Sequence, residues 1–394
     1  MLSVAEALAV VLEHARPMAD DTIALAELPL GRVLAESIIS DIDSPPYTKA
    51  MMDGYAVRSG DDFANLRIVE EIAAGKVPTQ TVGTGEASRI MTGAPLPDGA
   101  DAVAVIERSQ MRDDGRVRID GAVKRGQHVL ERGTEMVKGD VILSPGIVIG
   151  PQELGLLAAV GRTQVRVRRA AVAVVLPTGD EIVEPRALPG PGQIRNSNGP
   201  MLLGQVLRAG GIPIYQGIAR DSAESLRSAI TDGLKNADVL MLSGGVSAGK
   251  FDLVPGVLEE LGVVAHFHKI HLKPGKPLFF GTRDGKLVFG LPGNPVSSFV
   301  CFELFIRPAL RRLSGQLDAA PKSADLPLAG AFETDNDRPT YWPARIRHST
   351  VTALPWSGSA DLRALHTANA LLALPAGRHV FRAGDAVETI ALES

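Results

Sequence analysis

The chain has 394 residues, 45% of them hydrophobic, and 41 Lys and Arg stand against 45 Asp and Glu, a formal net charge of -4. That length exceeds one ordinary core and implies two to four domains, the composition is globular, and the near-balanced charge gives no electrostatic case for nucleic-acid binding. The single cysteine, Cys301, excludes an internal disulfide framework, no apolar run approaches the roughly 20 residues of a membrane span, and the first residues lack a basic-then-apolar signal pattern, so a soluble cytoplasmic protein is expected.

Taken in order, Ser3 and Glu6 form a capping box ahead of an apolar stripe of Val4, Leu8, Val11 and Leu12, which predicts a helix ending before Pro17. Residues 22–39 read as two short extended pieces around Pro29-Leu-Gly31. Pro45-Pro46 marks a boundary, because neither proline sits easily in a helix. From Tyr47 to about Asp140, short runs rich in Val and Ile (66–69, 102–106, 117–119) alternate with turn signals. Asp113-Asp-Gly115 predicts a hairpin turn between two of them, and no long helix is expected. Pro151 opens a helix to about residue 160 with Gly161 just past its end, so the β segment reads as an insertion between two halves of another unit.

From Ala170 strands and helices alternate: a strand at 171–176, a helix capped by Asn198 to 209, a strand at 212–215 and a helix capped by Ser222. A strand at 238–242, a glycine-rich turn, a helix at 253–261, a strand at 287–289 and a helix from Asn294 to about 313 follow. Such alternation predicts a mostly parallel sheet with helices on both faces, a central three-layer α/β unit. After Gly315 short β runs return at 342–346, 370–374 and 386–390. The expected division is 1–43 with 141–169 as an N-terminal mixed unit in two segments, 44–140 as an inserted β domain, 170–316 as the α/β domain and 317–394 as a small C-terminal, barrel-like β domain.

Three predicted strand ends share one character. They are Pro177-Thr-Gly-Asp-Glu181, Ser243-Gly-Gly-Val-Ser247 and Leu291-Pro-Gly-Asn-Pro-Val-Ser-Ser298. Each sets glycine beside Ser, Thr or Asn where a helix N-terminus leaves backbone N–H groups unpaired, a chemistry suited to phosphate. Gly244 and Gly245 allow a phosphate close to the backbone. One such turn alone reads equally as a tight corner; the recurrence favours an anion-binding rim. The loop Gln193-Ile-Arg-Asn-Ser-Asn198 could read a heterocycle's edge or a ribose. Lys269, Lys273 and Lys276 could neutralise an oxyanion or form a solvated basic loop. Asp180, Glu181, Asp221 and Asp252 place carboxylates on the same rim, where a phosphate ligand suggests Mg²⁺; turn and helix capping is the alternative for Asp180 and Asp221. His266, His268 and His271 have no Cys or Glu at zinc spacing, and Cys301 inside an apolar helix reads as a buried structural thiol. Neither a Gly-x-Ser-x-Gly elbow nor a Walker loop is present. Met52-Asp-Gly-Tyr-Ala56 and Thr92-Gly-Ala94 read by themselves as hairpin turns.

Pro45-Pro46, Met52-Asp-Gly-Tyr-Ala56, Thr92-Gly-Ala94 with Gly99-Ala-Asp-Ala-Val103, Thr178-Gly-Asp-Glu181, Asn196-Ser-Asn198, Ser243-Gly-Gly-Val-Ser247, Lys273-Pro-Gly-Lys-Pro277 and Leu291-Pro-Gly-Asn-Pro-Val296 occur in that order. Over nearly the whole chain this set resembles the molybdopterin molybdenumtransferase family, the MoeA proteins and the E-domain of gephyrin. The resemblance implies that adenylylated molybdopterin and molybdate give molybdenum cofactor and AMP with Mg²⁺ assisting. It also implies an elongated homodimer of four-domain chains with the site between subunits, and contact with other cofactor-biosynthesis proteins and recipient molybdoenzymes. Carried over, the catalytic positions are Asp53, Thr92, Glu181, Asp252, Lys269 and Lys273, with Asp221, Asp252 and Glu181 toward metal. The substrate rim is Thr178, Gly179, Asp180, Asn196, Ser197, Asn198, Ser243, Gly244, Gly245, Ser247, Lys276, Pro292, Gly293, Asn294 and Ser297. Arg345 and Ser359 are plausible pterin-site counterparts. Two positions depart from the family pattern: Ala50 stands where Ser is common, and Glu135 where Asp is expected. A stand-alone pterin adenylyltransferase and a non-catalytic scaffold are the rival readings; ATP consumption without molybdate marks the first, binding without AMP release the second.

Overall fold

The computed structural model describes residues 1–246 and 253–392. It has the expected multidomain α/β-plus-β architecture. The central sheet is built from β1 (Val172–Pro177), β2 (Ile212–Tyr215), β3 (Val239–Ser243), β4 (Val264–Phe267), β5 (Phe279–Arg283) and β6 (Lys286–Leu291), in the order β2-β1-β3-β6-β5-β4. The first four pair in parallel, and β6, β5 and β4 pair antiparallel. The apolar runs at β1 and β3 are strands buried on both faces, as parallel sheets require. Ala173 and Val175 of β1 enter one core, Val174 and Leu176 the other. Helices Asn198–Arg208 and 295–313 cover the first face; Ala223–Asn236 and Val254–Glu260 cover the second. Of the two antiparallel strands, β4 at the edge falls on the possible strand at His266 and His268, and β5 beside it is an addition to the sequence reading. Polar or small residues at His266, Gly281 and Thr282, and the exposure of Val264 and Ala265, hide their apolar period.

The helix opened by Asn294 runs to Leu313 as expected, with a π-helical turn at Phe302–Ile306 between Pro295–Cys301 and Arg307–Leu313. That turn carries Glu303, which is 4% exposed. Its carboxylate accepts hydrogen bonds from Gln205 Nε2 (2.6 Å), Arg208 Nη2 (2.9 Å) and Arg307 Nε and Nη2 (2.6 and 3.0 Å). Cys301 is buried, as expected, and burial pushes its thiol pKa far above the ordinary value.

The capping box forms: Ser3 Oγ accepts from Glu6 N at 3.2 Å and Glu6 Oε2 from Ser3 N at 2.8 Å. The helix Val4–His14 behind it packs Ala7 and Val11 into the α/β core that holds Ala309 and Leu310. Met18 N donates to Leu313 O (2.8 Å), and His271 N donates to Leu2 O (2.8 Å). Further along, Asp20–Ala24 pairs with Gln164–Arg168 and Ile38–Ile39 with Val141–Leu143. Together with helix Pro151–Ala159 they enclose a separate core of Leu34, Ile38, Ile149, Leu157 and Val165.

Between these halves lies a six-stranded sheet in the order Ala102–Val105, Gly54–Val57, Glu86–Ile90, Leu66–Ile72, Arg116–Ile119, Ser109–Met111. The expected turn at 113–115 joins Ser109–Met111 to Arg116–Ile119. Gly54–Val57 and Glu86–Ile90 were hidden in sequence, one by its brevity and one by Ser88 and Arg89. The C-terminal sheet runs Ser323–Pro327, Ala386–Ala391, Ala370–Leu374, Thr340–Arg347, Thr350–Ala353, all antiparallel. Ala329 N donates to Val351 O (2.8 Å), drawing the two edges together toward a barrel. Among the described residues no helix is long and apolar enough to cross a membrane.

Glu303 accepts hydrogen bonds from Gln205, Arg208 and Arg307 and ion-pairs with both arginines, so Glu303→Ala removes a buried ion-pair partner and should cost about 3–5 kcal/mol in urea unfolding.

Candidate functional site

The strand order reverses at β1: the chain leaves β1 for β2, then crosses back to β3. Open α/β sheets bind ligands in the crevice outside the carboxyl ends of such strands. Here that crevice is floored by backbone packing. Thr178 N donates to Ser243 O (2.9 Å), and Gly244 N donates to Leu291 O (3.1 Å). Gly244 has φ +105°, and a Cβ there would lie 2.4 Å from the Thr178 carbonyl oxygen, so only glycine fits.

A cavity of about 400 Å³ opens above this floor, lined by Thr178, Glu181, Ile194, Arg195, Asn196, Ser197, Asn198, Ser243, Gly244, Gly293 and Asn294. Asn198 is its central side chain. Its Nδ2 donates to Ser243 Oγ (2.8 Å) and to Gly293 O (2.8 Å). The Gly293 carbonyl only accepts, which fixes the carboxamide's orientation and turns Oδ1 away from both. Among the described residues, Asn198 Oδ1 and Thr178 Oγ1 are buried without a hydrogen-bond partner. Buried polar atoms left unpaired are costly, which sets these two apart from the satisfied groups around them.

The expectation that Asn198 caps the following helix is corrected. Asn198 is the first helical residue, and Asn196 supplies the cap, its Oδ1 accepting from Gly199 N (2.9 Å). Asn196 Nδ2 donates to Tyr215 OH (3.0 Å), which donates to Glu184 Oε1 (2.7 Å). Burial and then the Glu184 carboxylate push the Tyr215 pKa up to about 12. Asn294 opens its helix at the N-cap position as expected, without a side-chain cap bond; its Nδ2 donates to Ser359 Oγ (2.8 Å).

Asn294 also lines a second cavity, about 500 Å³, between the α/β unit and the C-terminal sheet. Lys273, Lys276, Pro292 and Ser297 contribute from one side, Arg338, Trp342, Trp356, Ser357 and Ser359 from the other. The tryptophans meet edge to face at 4.9 Å. Trp342 Nε1 donates to Leu354 O (2.8 Å), while Trp356 Nε1 is buried without a partner among the described residues. Arg338, not Arg345, is the arginine here. Arg338, Trp342 and Trp356 were missed in sequence; both tryptophans of a chain with 4% aromatic residues falling in its last quarter was the available signal.

The remaining expected residues are dispersed. Asp180 and Asp221 lie side by side, with Asp221 N donating to Asp180 Oδ1 (3.4 Å) and Arg220 Nη1 to Asp180 O (3.3 Å). Gly179 N donates to Ala219 O (3.2 Å), and Gly245 follows Gly244 with φ +64°. Lys269 is exposed and lines neither cavity. Ser247 and Asp252 lie outside the described residues. Among the described residues no three His, Cys, Asp or Glu side chains are grouped to hold a metal. Asp53 and Thr92 lie on turns beside the strands Gly54–Val57 and Glu86–Ile90 of the inserted sheet and line neither cavity. Asp53 Oδ1 accepts from Thr92 N and Oγ1, each at 2.7 Å, and these bonds, the backbone one foremost, hold its carboxyl below the usual range. Nearby, Ala50 is buried at 1% exposure, and Glu135 Oε2 accepts from Ser44 Oγ (2.6 Å).

A doubly wound sheet with glycine-floored strand ends and two polar cavities at their rim is the architecture of a small-molecule-binding α/β protein. Residues 174–312 match the family described as a probable molybdopterin binding domain, residues 2–161 the MoeA N-terminal region (domain I and II), and residues 325–392 the MoeA C-terminal region (domain IV). The chain is 32% identical to the molybdopterin molybdenumtransferase of Staphylococcus aureus, over 100% of this chain and 96% of that one, and equally to the protein of that name from Staphylococcus epidermidis. Among solved structures it is similar to two molybdopterin biosynthesis MoeA proteins from Pyrococcus horikoshii. One has a TM-score of 0.83 at 32% identity, with all of both chains covered; the other has 0.84 at 28%, covering 99% of this chain and 100% of that one. The chain belongs to the molybdopterin molybdenumtransferase family, and its function is that of a transferase in molybdenum cofactor biosynthesis.

Thr92→Val removes one of the two hydrogen bonds to Asp53, so the Asp53 pKa should rise toward the ordinary carboxylate value in a carbon-detected NMR titration. A carboxylate with a depressed folded-state pKa contributes stability present above its unfolded pKa and lost as pH falls through the folded one. The variant should therefore lose part of that contribution at neutral pH and none at strongly acid pH.

Proposed function

We propose that the chain transfers molybdate to adenylylated molybdopterin, splitting the phosphoanhydride to give molybdenum cofactor and AMP. The observation that carries this is the pair of buried unpartnered atoms, Thr178 Oγ1 and Asn198 Oδ1, in a cavity joined through Asn294 to a cationic one. Thr178 offers its hydroxyl to a phosphoryl oxygen, and the Gly244 and Gly245 turn lets the backbone approach it. Asn198 Oδ1 accepts only, which suits an amide or amino edge of a heterocycle. Lys273, Lys276 and Arg338 suit a tetrahedral oxyanion, held against the indole wall. Ser197, Ser243, Pro292, Gly293 and Ser297 complete the rim; Ser247, outside the described residues, and exposed Lys269 belong to this reading by the family resemblance.

Glu181, Asp221 and Asp252 are hard oxygen donors of the kind Mg²⁺ takes, and the fit is one of donor chemistry. They would hold the ion, which supplies charge neutralisation at the pyrophosphate. Asp53 and Thr92 act from a second copy of the chain in a homodimer. Exposed Ile39 and Val141, opposite each other on one ribbon, with exposed Met51 and Met52, give that copy an apolar surface to cover. The four-unit division at 43/44, 140/141, 169/170 and 316/317, with the first helix docked on the α/β unit, belongs to this reading. So does a cytoplasmic site of action, with transfer of the product onward to other biosynthetic proteins or recipient molybdoenzymes.

AMP release from adenylylated molybdopterin should require both molybdate and Mg²⁺; AMP formed without molybdate, or binding with no release, would sink the proposal. The shared site has its own test. Asp53→Asn and Lys273→Ala homodimers should both be inactive, while their heterodimer holds one site with both residues intact and should recover about half the wild-type rate. An inactive heterodimer would place all the machinery within one chain.

A further inference from the structure

Lys273 is held from the C-terminal sheet, not by its own loop. Its N donates to Pro339 O (2.9 Å), its O accepts from Tyr341 N (2.8 Å), and its Nζ donates to Asn336 Oδ1 (2.9 Å). Asn336 is 4% exposed and Thr334 5%. An ammonium can only donate, so the atom facing it must be the carboxamide oxygen. The Asn336 amino group must then find its own acceptor, and it donates to Thr334 Oγ1. Both residues lie on the strand Phe332–Asn336, and Lys273 lines the cavity shared with Arg338 and the two tryptophans.

We propose that Asn336, locked by Thr334, is a positioning residue that sets the Lys273 ammonium toward the oxyanion in this cavity. The role rests on the reading of Lys273 given under Proposed function. A lysine stem is long and flexible, and without an acceptor at its tip the ammonium samples many rotamers. A neutral acceptor holds it without cancelling its charge, as a carboxylate would. Asp335 and Asp337 flank Asn336 in sequence; Asp337 pairs with Arg338 at 3.0 Å, so the hydrogen bond on the Lys273 ammonium comes from the neutral carboxamide.

Trp342 and Trp356 are the chain's tryptophans and both line the cavity, so indole fluorescence reports its occupancy without turnover. In a molybdate titration of the full-length protein, Asn336→Ala should raise the Kd about tenfold, or about 1.4 kcal/mol. The molybdate KM should rise in step, while the KM for adenylylated molybdopterin and the melting temperature stay at wild-type values. Thr334→Val should shift molybdate affinity in the same direction by a smaller factor, and Thr334→Ser, which keeps the hydroxyl, should restore it. The near-isosteric valine variant carries the test if Asn336→Ala lowers the melting temperature. Wild-type molybdate affinity in both Asn336→Ala and Thr334→Val overturns the positioning role alone. A wild-type protein that neither changes fluorescence with molybdate nor releases AMP overturns the reading beneath it.

Discussion

The carboxamide of Asn198 joins what the fold would otherwise leave separate. It belongs to the first residue of a helix, and its two N–H bonds reach the end of β3 through Ser243 and the loop after β6 through Gly293. The helix that leads from β1 to β2 is thereby tied to the ends of β3 and β6 through one side chain. The close approach of Gly244 to the Thr178 carbonyl fixes the third strand end in the same place. With both amide hydrogens used on the scaffold, the oxygen is left buried without a hydrogen-bond partner among the described residues. An aspartate would lack both donors; an alanine would leave a serine hydroxyl and a carbonyl to find water.

The α/β layer was legible because burial on both faces leaves an unbroken apolar run, and because a glycine-bearing turn follows the runs at β1, β3 and β6. The capping box at Ser3 was legible for a similar reason, being complete within four residues. What depends on contacts distant in sequence was not. The residues of β4 and β5 are too polar or too small to show a period, and Gly54–Val57 is short. The buried quartet around Glu303 joins two helices nearly a hundred residues apart, and nothing in either helix alone asks for the other.

The site divides in the same way. Thr178, Asn198, Ser243, Gly244 and Asn294 were found because strand ends with glycine carry a local signature. Arg338, Trp342, Trp356 and Asn336 were not, since their place in a cavity comes from docking of the C-terminal sheet against the lysine loop. Asn198 was picked out for the right place and the wrong role. A helix-start asparagine reads as a cap, and only the neighbouring Asn196, two residues back, shows that the capping position was already filled.

The helix Val4–His14 docks on a helix that ends at Leu313, and Met18 bonds the Leu313 carbonyl directly. On the ribosome those partners are made roughly 300 residues apart, which at about 5–20 residues per second is a delay of roughly 15 s to a minute. For that interval Ala7 and Val11 lack the helical segment to Leu313 that shares their core. The α/β layer is thus the part of the molecule whose completion waits longest, and the cavity that depends on its last helix is assembled at the end of synthesis.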